Sequence, residues 1–159
     1  MPAAQILYVE DNDADFYLMQ IGLERCMDSL ELRRASDGVE AIALVKRLGN
    51  EGQPDLILLD INMPVMDGFT FLQALRNDER CVQVEPAQPA QLPVIMCSTS
   101  EEPGDLNKAR GLGVAAYVTK PVRLAQLEEP LRDLNTLVLN RDRGAPRLER
   151  RQLRRALST

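Results

Sequence analysis

Four short runs of apolar residues restrict the possible folds more tightly than any other feature of the chain: Ile6-Leu7-Tyr8-Val9, Leu56-Ile57-Leu58-Leu59, Val94-Ile95-Met96-Cys97 and Ala115-Ala116-Tyr117-Val118. All four are continuous. A strand with one wet face alternates apolar and polar residues, whereas a strand covered on both faces has no polar side to show. Such strands call for a sheet with helices packed on both sides. A fifth run, Leu30-Glu31-Leu32-Arg33, does alternate, which predicts a half-exposed edge strand.

Helical patterns fill the intervals. Phe16, Met19, Leu23 and Cys26 follow Asp13, a potential cap. Ser36-Asp37-Gly38 leads into Ala41, Leu44, Val45 and Leu48, with Gly49 where a left-handed cap would end the helix. A third helix is predicted from about Phe69 to Arg76, and a fourth near Glu102 to Leu112. The fourth contains Gly104 and Gly111, each costing about 1 kcal/mol in a helix interior, so it is expected to be the least stable. The last carries Leu124, Leu127, Leu131, Leu134 and Val138 on one face, with Pro130 inside predicting an irregular turn. Strand–helix alternation with right-handed crossovers predicts an α/β, doubly wound parallel sheet in the order 2-1-3-4-5.

At 159 residues and 45% hydrophobic content the chain suits one domain. Its apolar runs fall far short of the roughly 20 residues that span a bilayer. The first residues lack the basic and apolar regions of an export signal, so a cytoplasmic location is expected. Cys26, Cys81 and Cys97 are odd in number with no CxxC spacing, which argues against disulfide and zinc. Histidine is absent, excluding imidazole ligands and Ser-His-Asp chemistry. The chemistry falls to carboxylates.

Charge is segregated: residues 1–140 hold 12 basic and 22 acidic side chains, whereas 141–159 hold seven arginines and two acids. This suggests a body over 4–140 and a separate basic tail over 141–159. Within the tail, Leu148, Leu153 and Leu157 fall roughly on one helical side. The Pro-containing segment 84–91 reads as an extended loop on the face away from the strand C-termini.

In open parallel sheets ligands bind outside the carboxyl ends of the strands, where the winding reverses. The predicted order brings Glu10-Asp11, Asp60, Ser98-Thr99 and Lys120-Pro121 to that edge. Clustered carboxylates repel unless a cation neutralises them, and Mg²⁺ suits an all-oxygen site that also receives a phosphoryl group. Asp11 and Asp60 are candidate direct ligands, Asn62 offers a backbone carbonyl, and Glu10 would act through water.

Ile6 to Asp11 (ILYVED), Asp60 to Gly68 (DINMPVMDG), Ser98 and Lys120-Pro121 together resemble the CheY-like receiver family, over about residues 5–140. The resemblance implies a flavodoxin-like fold and assigns Asp60 as the nucleophile that takes a phosphoryl group from a partner histidine kinase. It implies that Lys120, preceding a cis proline, contacts the phosphoryl oxygens. It further implies that Ser98 and Tyr117 move as the switch, and that the only catalysis is of the domain's own phosphorylation and dephosphorylation. Glu10 stands where aspartate is more frequent and Ser98 where threonine is common, both conserving the chemistry.

Residues 9–12, Ala14-Asp15, Ser36 to Ala41 and Ser98-Thr99 are similar to the single-domain regulators paired with bacterial phytochrome kinases. That similarity implies a light-sensing kinase as donor and a homodimer through the fourth helix, fifth strand, last helix and tail. The 19 residues after residue 140 fall short of the roughly 60 that an output domain needs, so output through binding is expected. Three rival readings stay open: a phosphate sink for a shared kinase, nucleic-acid binding through the tail arginines, and a phosphatase-like enzyme. The tail has no aromatics, and position 62 is Asn where such phosphatases use DxD.

Overall fold

A computed structural model describes residues 3–26, 30–48, 53–77, 92–134, 137–140 and 147–150. Strands and helices alternate as β1 (Ala4–Val9), α1 (Asp13–Cys26), β2 (Leu30–Ala35), α2 (Gly38–Leu48), β3 (Leu56–Leu59), α3 (Gly68–Asn77), β4 (Val94–Ser98), α4 (Pro103–Gly111), β5 (Ala116–Thr119) and α5 (Leu124–Arg132). The five strands are all parallel in the order β2-β1-β3-β4-β5. This is the expected α/β flavodoxin-like, doubly wound topology.

The continuous apolar runs have a direct structural cause, because successive side chains of a strand point to opposite faces. Leu7, Val9, Ile57, Leu59, Val94 and Met96 pack on one side with Ala41, Val45, Leu72 and Leu75 of α2 and α3. Ile6, Tyr8, Leu56, Leu58, Ile95 and Cys97 pack on the other with Met19, Leu23, Leu127 and Leu131 of α1 and α5. β1, β3 and β4 are therefore dry on both faces, apart from the half-buried Gln5, while β2 alternates as predicted and β5, at the far edge, is half-buried.

Several local expectations are corrected. The first helix is capped by Asn12, not Asp13: its Oδ1 accepts the Asp15 N–H at 2.9 Å. Asp37 and Asp67 cap α2 and α3 in the same way, accepting the Glu40 and Thr70 N–H groups at 2.8 Å. In α4, Gly104 and Gly111 occupy the second and last positions, so neither carries the full cost of an interior glycine. The last helix stops at Arg132, and Val138 belongs to a strand, β6 (Leu137–Asn140), paired antiparallel with β7 (Arg147–Arg150). Leu148 thus lies on a strand instead of a helical side. β7 lies against β1 and β2, and β6 follows α5. Gly49, Cys81, the 84–91 segment, Leu153 and Leu157 lie outside the described residues.

Candidate functional site

The carboxyl edge is assembled by the parallel ladder itself. Beyond the strand ends the Glu10 N–H donates to Ala35 O (2.9 Å), Asp60 N–H to Val9 O (3.1 Å) and Lys120 N–H to Ser98 O (2.8 Å). These bonds carry the ladder past the ends of β1, β3 and β5, so Glu10, Asp60 and Lys120 share the carboxyl edge of the sheet. Glu10, Asp60 and Ser98 are buried, and Asp11 is exposed.

One oxygen from each of Glu10, Asp11 and Asp60 lies within 4.8 Å of the others. Three hard oxygen donors this close fit a small divalent cation such as Mg²⁺, which favours carboxylate and water ligands. Asn62 follows in the exposed loop after Asp60, between the buried Ile61 and Met63. The Lys120–Pro121 peptide is cis. Lys120 Nζ contacts Glu10 Oε1 and Oε2 at 3.1 and 3.0 Å, Asp15 Oδ2 at 2.9 Å and Asp60 Oδ2 at 3.5 Å.

The electrostatics follow from burial against this one cation. Burial raises Glu10 to about 7, opposed by Lys120 and reinforced by the Asp60 charge. Burial also raises Asp60, with Lys120 and the Ile61 N–H opposing. For Lys120 burial disfavours the ammonium, but the hydrogen bonds it donates to Asp15 and Glu10 and the charge of Asp60 outweigh it and raise its pKa. Lys120 is therefore a fixed positive charge.

The hydroxyls form a separate chain. Ser98 Oγ accepts the Ser100 N–H at 3.2 Å, and the half-buried Tyr117 donates its hydroxyl to Ser100 O at 2.7 Å. Ser100 Oγ also meets Asp105 in α4. Strand end, α4 and β5 are thereby tied through one residue.

Two side chains that sequence reasoning did not assign to the site belong to it. Arg34 reaches across from β2: Nε donates to Glu10 O at 3.0 Å, Nη2 to Asp11 O at 3.1 Å, and Nη1 pairs with Asp13 Oδ1 at 2.7 Å. Its guanidinium lies 5.0 Å from the Phe16 ring centroid, and Phe16 stacks on Tyr8. The signal was present, since position 34 shares the inward face of an alternating strand with Leu30 and Leu32. Asp15 is the other: it lies in the first turn of α1 and accepts from Lys120 Nζ at 2.9 Å.

Tight packing holds the phosphoacceptor candidate from behind. A Cβ on Gly68 would overlap the Asp60 carbonyl oxygen and lie 2.9 Å from Ile61 Cα, and the Gly68 N–H donates to Ile61 O at 2.8 Å. Only glycine permits this approach of α3 to the end of β3.

The family described as the response regulator receiver domain matches residues 6–132. Among curated proteins, the Synechocystis DNA-binding dual master transcriptional regulator RpaA is 35% identical over 87% of this chain, which spans 51% of RpaA. The Synechocystis response regulator Rcp1 is 33% identical over 79% of the chain and 82% of its own length. The chain spans 27% of the Caulobacter response regulator PleD. Among solved structures, the bacteriophytochrome response regulators AtBRR (TM-score 0.71, 30% identity, 89% of this chain and 99% of that one) and RtBRR (0.70, 34%, 91% and 84%) superpose on it. The phosphorylated cyanobacterial phytochrome response regulator RcpA does so with a TM-score of 0.62 at 36% identity, over 79% of this chain and 86% of its own. The acidic edge, the cis Lys120–Pro121 bond, the five-strand order and a match over most of the chain lead to one assignment: this chain belongs to the response regulator receiver domain family.

Proposed function

We propose that Asp60 is the phosphoacceptor of a two-component phosphorelay, charged by a partner histidine kinase. The observation that carries this reading is the position of Asp60: a buried carboxylate at a strand end, clustered with two other acids and 3.5 Å from a lysine ammonium. Phosphoryl transfer depends mainly on positioning and charge neutralisation. Asp11 and Asp60 would hold Mg²⁺ directly, with the Asn62 backbone carbonyl and, through water, Glu10. When bound, the ion supplies the positive charge that lets carboxylates and phosphoryl oxygens share one site.

This chain's residues do the rest. The Asp60 carboxylate attacks the phosphorus of the kinase's phosphohistidine, whose phosphorus–nitrogen bond breaks as the imidazole leaves with the bonding pair, while Val9 O holds the Asp60 N–H and Gly68 packs against the Asp60 carbonyl. Lys120 binds the new oxygens as a point charge, and Ser98 donates its hydroxyl to them. Ser98 movement releases Ser100, to which Tyr117 and Asp105 are tied, so loop, β5 and α4 shift together as the switch. The likeness to AtBRR, RtBRR and RcpA supports a bacterial phytochrome as the kinase. A cytoplasmic receiver over 4–140 acting as a homodimer completes the proposal. The α4–β5–α5 face and the 141–159 arm would form the dimer.

The test is phosphotransfer from ³²P-labelled bacteriophytochrome kinases to the wild type and to Asp60→Asn. Label is expected on the wild type alone, dependent on Mg²⁺. Equal labelling of the variant would place the acceptor elsewhere.

A further inference from the structure

Lys120 has more carboxylates around it than its role in binding a phosphoryl group requires. Its three ammonium hydrogens have partners at hydrogen-bond distance in Glu10 and Asp15, while Asp60 stands back at 3.5 Å. Asp15 makes the shortest of these contacts, at 2.9 Å, and is no part of the three-acid cluster that fits a cation. Its carboxylate projects from the first turn of α1 to meet the end of β5 across the site. Something must give way when phosphoryl oxygens arrive.

We propose that Asp15 is a latch, a positioning residue that draws Lys120 away from Asp60 in the unphosphorylated protein and yields it to the phosphoryl group. This rests on the reading of Asp60 as phosphoacceptor. Burial decides which carboxylate yields. The Glu10 side chain is 0% exposed, and stripping it of its cation would leave a buried charge uncompensated. The Asp15 side chain is 40% exposed and is resolvated as it lets go, so its release costs little. The dianionic phosphoryl group then outcompetes it for an ammonium that is itself only 10% exposed. Asp15 thereby sets how readily Lys120 is available for transfer, without touching the reacting atoms.

The experiment uses the full chain and phosphoramidate as donor. The phosphorus–nitrogen bond breaks as the Asp60 Oδ–phosphorus bond forms, and the already protonated nitrogen leaves with the bonding pair as ammonia. Rates at saturating Mg²⁺ are measured for the wild type, Asp15→Ala, Asp15→Glu and Asp60→Asn, together with affinity for beryllium fluoride. Asp15→Ala is expected to raise rate and affinity together by roughly two- to fivefold, while Asp15→Glu keeps the wild-type values. A residue with a merely structural role would not move beryllium fluoride affinity upwards. If the wild type is phosphorylated and Asp15→Ala is no faster, or if Asp15→Glu is as fast as Asp15→Ala, the latch is overturned while the acceptor reading stands. If the wild type takes no phosphoryl group, or Asp60→Asn takes as much, the acceptor reading falls and the latch with it.

Discussion

A fully buried glutamate such as Glu10 can ionise here because Lys120 places its ammonium against both oxygens, and Asp60 shares the same cation. Both acids are nevertheless raised, Glu10 from 4.5 to about 7 and Asp60 upward from 3.8, in each case first by burial. Their folded pKa values exceed the unfolded ones, so the stability they contribute is fully present below the unfolded values and is lost as pH climbs towards 7. Lys120 is also raised, but its window begins above 10.5 and offsets nothing in this range. Urea unfolding in EDTA should therefore show the wild type losing stability relative to Asp60→Asn between pH 5 and pH 7.5. At pH 7.5 the variant should be more stable by on the order of 1 kcal/mol, and Mg²⁺ should restore the wild type only. Parallel pH profiles for the two proteins would contradict the crowding of the site. The carboxylates and the lysine were legible because each ends an apolar run and the topology brings those ends together. Arg34 and Asp15 were missed, because a charged residue inside a strand or helix pattern reads first as solvated surface, although the alternation of β2 put position 34 on the inward face.

At the scale of elements, caps and glycines fix where the functional side chains start. Gly68 lies where α3 begins and where a Cβ would press on the backbone of Asp60 and Ile61, which cannot move aside as a flexible side chain can. Gly68→Ala should therefore lower stability by about 1–3 kcal/mol and slow phosphorylation of Asp60. A variant with wild-type urea midpoint and phosphorylation rate would show that the loop relaxes freely. Gly38 makes a useful contrast, since the nearest atoms to a Cβ there belong to the flexible Met66 side chain. Helix α2 was legible from the apolar spacing that follows Ser36-Asp37-Gly38, and α3 as a helix over about Phe69 to Arg76, whereas the Asp67 cap that starts α3 was seen only in the structure. The end of α5 was not legible, because Leu137-Val138-Leu139 continues the leucine spacing and suits a strand equally well, an ambiguity that short apolar runs share.

For the whole molecule, the sheet order followed from strand number and handed crossovers, and three of the four continuous runs named the strands that are covered twice; the fourth became β5, a half-buried edge strand. The β6–β7 pairing was hidden, because β7 lies within residues 141–159, whose seven arginines suggested a separate basic tail. The arm reading makes a measurable claim. Deleting residues 141–159 removes β7 and should lower the dimer fraction seen by light scattering, while phosphorylation of Asp60 persists. A truncated protein that stays fully dimeric would refute it.

The most direct measurement of the central claim is a crystal structure with beryllium fluoride and Mg²⁺. A fluoroberyllate is expected on the Asp60 carboxylate, with Mg²⁺ held by Asp11 and Asp60 and Lys120 Nζ against a fluorine. An unmodified residue 60 turned away from Glu10, Asp11 and Lys120 would contradict it.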